Sequence, residues 1–274
     1  MDAETYRSET YRSEPNLPET TYRPEPARPG MRTPEPELDY YVITGEAAAP
    51  AGPPAGIVAE EFVLSDDGTA TGLNGAAWTR MDGAAGGAPD GAWWSSAEFT
   101  RAMRADPELR GRVVAVSRHE AEAAYRRLGA GELPGEATLR TYFHDTLPFD
   151  GSAPLRLGPP DVPEGFHDRR VYRILFAGDL SETGLANLSA GWRMRAADDD
   201  ARGRVVGTAH ITLAGDLFSW DLRRVGGMAW SVDLTACLGE PSPRTGGVIR
   251  RLLRELTTAM RREGLIPVTI ERFS

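Results

Sequence analysis

The chain has 274 residues, 41% of them hydrophobic and 26% charged, and a net charge of −9, a composition that suits a globular protein of one or two domains. All 31 cationic residues are arginine, which excludes chemistry that needs a lysine amine: Schiff bases, the lysine of phosphate-binding P-loops and the ATP-binding lysine of kinases. With one cysteine, Cys237, no internal disulfide can form, and the expected compartment is the cytoplasm.

No stretch of about 18 apolar residues occurs, so no membrane-spanning helix is expected, and the first residues lack the charged-then-apolar pattern of a secretion signal. Charge is unevenly spread. Residues 1–168 hold 15 arginines and 28 acidic residues, whereas 169–274 hold 16 and 12. The two parts are able to attract each other, or the last part an acidic partner; scattered solvated charge is the plainer reading.

Residues 1–39 read as a disordered tail, rich in Pro, Glu, Thr and Arg and almost without aliphatic side chains, too polar to offset the entropy of ordering. The unit Glu-Thr-Tyr-Arg-Ser repeats from residue 4, and Thr-Tyr-Arg returns at 21–23. A five-residue repeat matches neither helix nor strand periodicity. Tyr6, Tyr11 and Tyr22 are instead candidate anchors for another protein, each a ring beside a planar cation on a flexible tether, with the Pro-Glu segment as spacer.

Folding is expected to begin near Tyr40, with a first α+β domain over 40–150. After a loop at 46–56, IVAEEFVLSDDG predicts a strand that turns at Asp67-Gly68, with TATGLNGAAWTRM as its hairpin partner, and 83–91 a mobile loop. Ser95 with Glu98, and Ser117 with Glu120, fit capping boxes of two helices; a third short helix is expected over 135–145. The four prolines and four glycines of 150–168 place a linker at 151–168.

A second domain is expected over 169–274. RRVYRILFAG reads as a strand, and LSETGLANLSAGW as a helix capped by Ser181, with Leu185, Leu188 and Trp192 facing inward. Three strands with period-two alternation follow. An Ala214-Gly215 turn pairs Ile211 with Phe218 and Ala209 with Trp220. A Val225-Gly226-Gly227 loop would pair Leu222 with Trp230 and Trp220 with Val232. A helix at 245–263 carries an apolar stripe of Ile249, Leu252, Leu253, Leu256 and Met260, with Arg250, Arg251, Arg254, Arg261 and Arg262 facing out. LIPVTIERF closes the chain as a strand. The order β-α-β-β-β-α-β defines an α+β fold, with helices packed on one side of mostly antiparallel sheets.

Chemistry is sparse. The polar face of the three-strand meander carries His210, Ser219, Asp221 and Asp233, but the expected register puts Ser219 between His210 and Asp233, whereas a triad needs histidine in the middle. His144-Asp145 and His167-Asp168 lack partners at metal-ligand spacing, so no metal site is expected. Cys237 reads as a packed thiol. Trp93 and Trp94 must point to opposite sides of an extended segment; one plugs the core and the other is a candidate contact for a partner. The arginine face of 245–263 is interrupted by Glu255 and Glu263, and nucleic acid is not an expected ligand.

PRTGGVIRRLLRELTTAMRREGLIPVTIE, at 243–271, resembles the cofactor-binding segment of GNAT acetyltransferases, and the preceding strands are similar to that family's meander. The resemblance implies an acyl-CoA held at the helix start by Arg244, Gly246 and Gly247. The leading expectation remains a non-catalytic cytoplasmic interaction or adaptor protein with an acidic tail, binding another protein and no cofactor; an acyl-CoA-dependent transferase is the alternative.

Overall fold

The computed structural model describes residues 37–45, 53–79, 91–149, 161–196, 205–226 and 229–273. The tail with Tyr6, Tyr11 and Tyr22, the Gly/Ala-rich loop up to residue 90 and residues 151–160 of the expected linker lie outside them. Leu38 and Asp39 are already buried, so ordered packing begins slightly before Tyr40. Glu37–Ser274 form one compact unit.

The chain before the expected linker builds one antiparallel sheet. Its strands are β1 (Asp39–Thr44), β2 (Pro54–Leu64), β3 (Ala70–Thr79), β4 (Trp93–Ser95), β5 (Val113–Val116) and β6 (Thr146–Pro148), in the order β4-β3-β2-β1-β5, with β6 also on β3. Helices α1 (Ala97–Ala105), α2 (Pro107–Arg110), α3 (Arg118–Arg127) and α4 (Glu136–Arg140) complete it. Tyr40, Val42, Ile57 and Ala59 pack with Ala121, Ala124 and Tyr125 of α3. Tyr41, Ile43, Val58 and Ala77 pack with Met103 of α1. Both faces of β1 are therefore covered, which is why DYYVIT is a continuous buried run rather than an alternating one.

One helix cap was placed one residue off. Ser96, not Ser95, precedes α1 and makes no side-chain cap bond; Ser95 ends β4 and its Oγ accepts from the Asp145 N–H. The second cap is as expected, with both bonds of the Ser117/Glu120 box present. Ser117→Ala is expected to cost about 1 kcal/mol in urea denaturation. An unchanged stability would show that the box contributes nothing of its own.

The chain after the linker builds the second sheet: β7 (Asp168–Ala177), β8 (Arg195–Ala196), β9 (Val205–Leu213), β10 (Asp216–Val225), β11 (Ala229–Leu238) and β12 (Ile266–Arg272). The order is β12-β7-β11-β10-β9-β8, antiparallel throughout. Helices α5 (Glu182–Trp192) and α6 (Thr245–Arg262) pack on one face, against Tyr172, Ile174, Phe176, Phe218, Leu222 and Val232 among others. The molecule is thus α+β with antiparallel sheets.

The first meander turn holds. Ala214 and Gly215 both have positive φ, 51° and 89°, as a two-residue hairpin turn requires, and Ile211 faces Phe218 while Ala209 faces Trp220. The second register is two residues from the expected one: Leu222 faces Val232, Trp220 faces Leu234, and Val225 faces Ala229. Val225 is still paired, so the loop does not begin there as expected. A shift of two keeps every side chain on its face, so the hydrophobic pattern could not distinguish the two registers.

The arginine face of α6 is not simply solvated. Arg261 is 7% exposed; it donates to Asp39 Oδ1 at 2.8 Å, to the Tyr40 carbonyl at 3.0 Å and to the Tyr41 hydroxyl at 3.2 Å. Arg250 donates to the Asp66 carbonyl, and Arg254 reaches the Glu37 carbonyl. From the other direction Arg104 of α1 bonds the Pro267 carbonyl of β12 at 2.7 Å. The acidic first part and the basic last part meet through these contacts.

Candidate functional site

Helices α5 and α6 pack on one face of the second sheet; on its other face the described side chains range from buried Ser231 and Cys237 to exposed His210. Cross-strand pairing arranges them in rows. One row is His210, Ser219, Thr235 and Val171; the next is Thr208, Asp221, Asp233 and Arg173; a third holds Arg223, Ser231 and Leu175. Arg173 grips Asp233 with two bonds of 2.7 Å. Arg223 lies 3.0 Å from both Asp221 and Asp233. Hydrogen bonding to Asp233 raises the Arg173 guanidinium above its ordinary value. Arg173 also sits 5.0 Å from the centre of the Phe273 ring. Val171, Leu175, Leu217 and Phe273 are half-buried on this face.

The hydrolytic reading of this face fails on geometry. Ser219 lies opposite His210 as expected, but its other neighbour is Thr235, and Asp233 lies opposite Asp221. No carboxylate stands in line with histidine and serine. Cys237 also belongs to β11; burial pushes its thiol up, which disfavours the reactive thiolate. His119 and His144 are exposed, and among the described residues no group of three or more His, Cys, Asp or Glu could hold a metal ion.

Trp93 and Trp94 do take opposite sides. Trp93 packs with Trp78, Tyr125 and Tyr142 and donates from Nε1 to the Tyr125 hydroxyl at 3.2 Å. Trp94 is half-buried on the other face, beside Phe99 and Met103, so neither ring stands free on the surface. At the start of α6, Arg244 occupies the N-cap position without a side-chain cap bond. Arg244 and Gly247 are exposed, Gly246 is half-buried, and open space surrounds the Gly247 Cα.

Sequence reasoning missed the buried Arg104–Glu60 pair, the contacts of Arg261 and the Arg173–Asp233–Arg223 cluster. The contacts of Arg173 and Arg223 depend on which strands are neighbours, and β7 lies between β11 and β12.

Comparison with known proteins gives no relative: no protein-family model, no curated protein and no solved structure matches the chain.

Proposed function

We propose that the chain is a non-catalytic, cytoplasmic interaction protein that binds another protein through the face of its second sheet opposite α5 and α6, with Tyr6, Tyr11 and Tyr22 as tethered secondary anchors. The observation that carries this reading is the anatomy of that face. Arginine and aromatic groups lie together at Arg173 and Phe273, flanked by half-buried Val171, Leu175 and Leu217, and protein interfaces concentrate their binding energy in such groups. The charges at its centre are already paired with one another. The fitting partner therefore presents apolar and neutral hydrogen-bonding groups rather than a strongly charged patch. A single, buried and unpaired cysteine supports a reducing compartment. Among the described residues no helix is long and apolar enough to cross a membrane.

The test starts from co-purification in the native host and identification of the retained protein, followed by affinity measurements with variants. Leu175→Asp is expected to weaken binding at least about tenfold, since it places a charge among desolvated contacts. Replacing the three tail tyrosines by alanine one at a time is expected to give smaller, graded losses. A partner that binds undiminished to Leu175→Asp and to a chain lacking residues 1–36 would refute the reading. Limited proteolysis provides an independent check on the tail, with a stable core expected to begin near Leu38; resistance of the first 36 residues in the free chain would contradict it.

A further inference from the structure

We propose that the open edge of β9 is a self-association site, at which a second copy of the chain pairs antiparallel about a two-fold axis at Ile211 and the two second sheets join into one.

An edge strand offers its outer N–H and C=O groups to another chain, and folded proteins guard such edges by shortness, charge, proline, a bulge or a cover. In the first sheet β4, β5 and β6 are only three or four residues long. In the second, β12 contains Pro267, a register shift between Pro267 and Thr269, and the charged pair Glu271 and Arg272; Arg104 also occupies the Pro267 carbonyl. β9 has none of these devices. Its sequence, VVGTAHITL, is nine residues long and contains no proline, aspartate, glutamate or arginine. Among the described residues its outer edge is covered only by β8, at Gly207 and Thr208. β8 reaches no further along it, because Arg193, two residues before β8, closes α5 with a φ of 50°, outside the extended region. His210, Ile211 and Thr212 are exposed.

The adjoining turn fixes which backbone groups point outward. Ala214-Gly215 is a two-residue turn with positive φ at both residues, so Leu213 and Asp216 form the hydrogen-bonded pair that closes it. Bonded and non-bonded pairs then alternate along the ladder. Leu213, Ile211 and Ala209 bond to β10, while His210 and Thr212 turn their N–H and C=O groups to the open edge. Thr208, in phase with them, meets Arg195 of β8.

The open stretch, 209–213, is symmetric about Ile211. A two-fold axis there sets His210 opposite the partner's Thr212 and Thr212 opposite the partner's His210, each pair exchanging two backbone bonds. Ile211 meets its own copy in the non-bonded position, where side chains come closest. Ile211 faces the same way as its core neighbour Phe218, yet it is 37% exposed, so pairing buries apolar surface left open at the edge. No like charges are brought together, because the strand has none. A short strand pair buries less than the about 1,200 Å2 of a stable interface, which makes the dimer weak and concentration-dependent.

The experiment is sedimentation of the full chain over a concentration series reaching several hundred micromolar. A reversible monomer–dimer equilibrium is expected. Thr212→Pro, which removes an outward N–H and leaves the ladder to β10 intact, is expected to raise the dissociation constant at least about tenfold. Ile211→Lys and Ile211→Glu, each facing its own charge across the axis, are expected to do the same, and an equimolar mixture of the two chains to restore the dimer. Should Thr212→Pro fail to fold, the two Ile211 variants and their mixture carry the decision. A chain that stays monomeric throughout, a dimer indifferent to these substitutions, or a mixture that fails to associate would overturn the proposal.

Discussion

Replacing Arg104 by methionine is expected to destabilise the protein by about 3–5 kcal/mol, because it strands a buried carboxylate. Glu60 is 1% exposed and Arg104 6%, and their side chains meet at 2.5 Å. Burial opposes the charge on Arg104, but Glu60 more than offsets it, and the guanidinium is held above its ordinary value. The same side chain bonds the Pro267 carbonyl, so its loss also leaves an acceptor unpaired where α1 meets β12. Glu60→Leu combined with Arg104→Met removes both charges and is expected to recover most of the loss. Chemical denaturation of the two variants reads this directly. A single variant no worse than the double one would show that the loss does not come from a stranded carboxylate.

Trp220→Ala is expected to cost about 3–5 kcal/mol. Trp220 is 9% exposed in the main core and meets Trp192 edge-on, with ring centres 6.3 Å apart. Its indole N–H has no partner, so packing supplies the effect. Ser219→Ala and His210→Ala, on the opposite face of the same strands, are each expected to change stability by less than about 1 kcal/mol. Similar losses for all three variants would mean that the two faces have been interchanged.

The contrast between Trp220 and Arg261 shows what was legible in the sequence. Facing was readable: period-two alternation put Phe218, Trp220 and Leu222 inside, and turn chemistry at Ala214-Gly215 set one register to the residue. Local signals worked wherever partners are close along the chain, as in the Ser117/Glu120 box, the Ser181 cap and the positive φ of Gly264 after α6. Arg261 falls on the polar side of the α6 stripe by periodicity, yet its partners Asp39 and Tyr41 are over 200 residues away. No local pattern records such a contact. A cavity of about 300 Å3 lined by His167, Arg170 and Thr245 was illegible for the same reason, since His167 and Arg170 lie just before and within the start of β7 and Thr245 opens α6. Arg244, Gly246 and Gly247 had marked the helix start but not the side chains around it.

Methyl NMR of the complex with the identified partner most directly tests docking on the face of the second sheet opposite α5 and α6. Complex formation is expected to shift and broaden the methyl signals of Val171, Leu175 and Leu217, and to leave those of Ile249, Leu253 and Leu256, buried beneath α6, in place. Shifts confined to other surfaces, with those three outward-facing methyls unmoved, would contradict the proposed docking face.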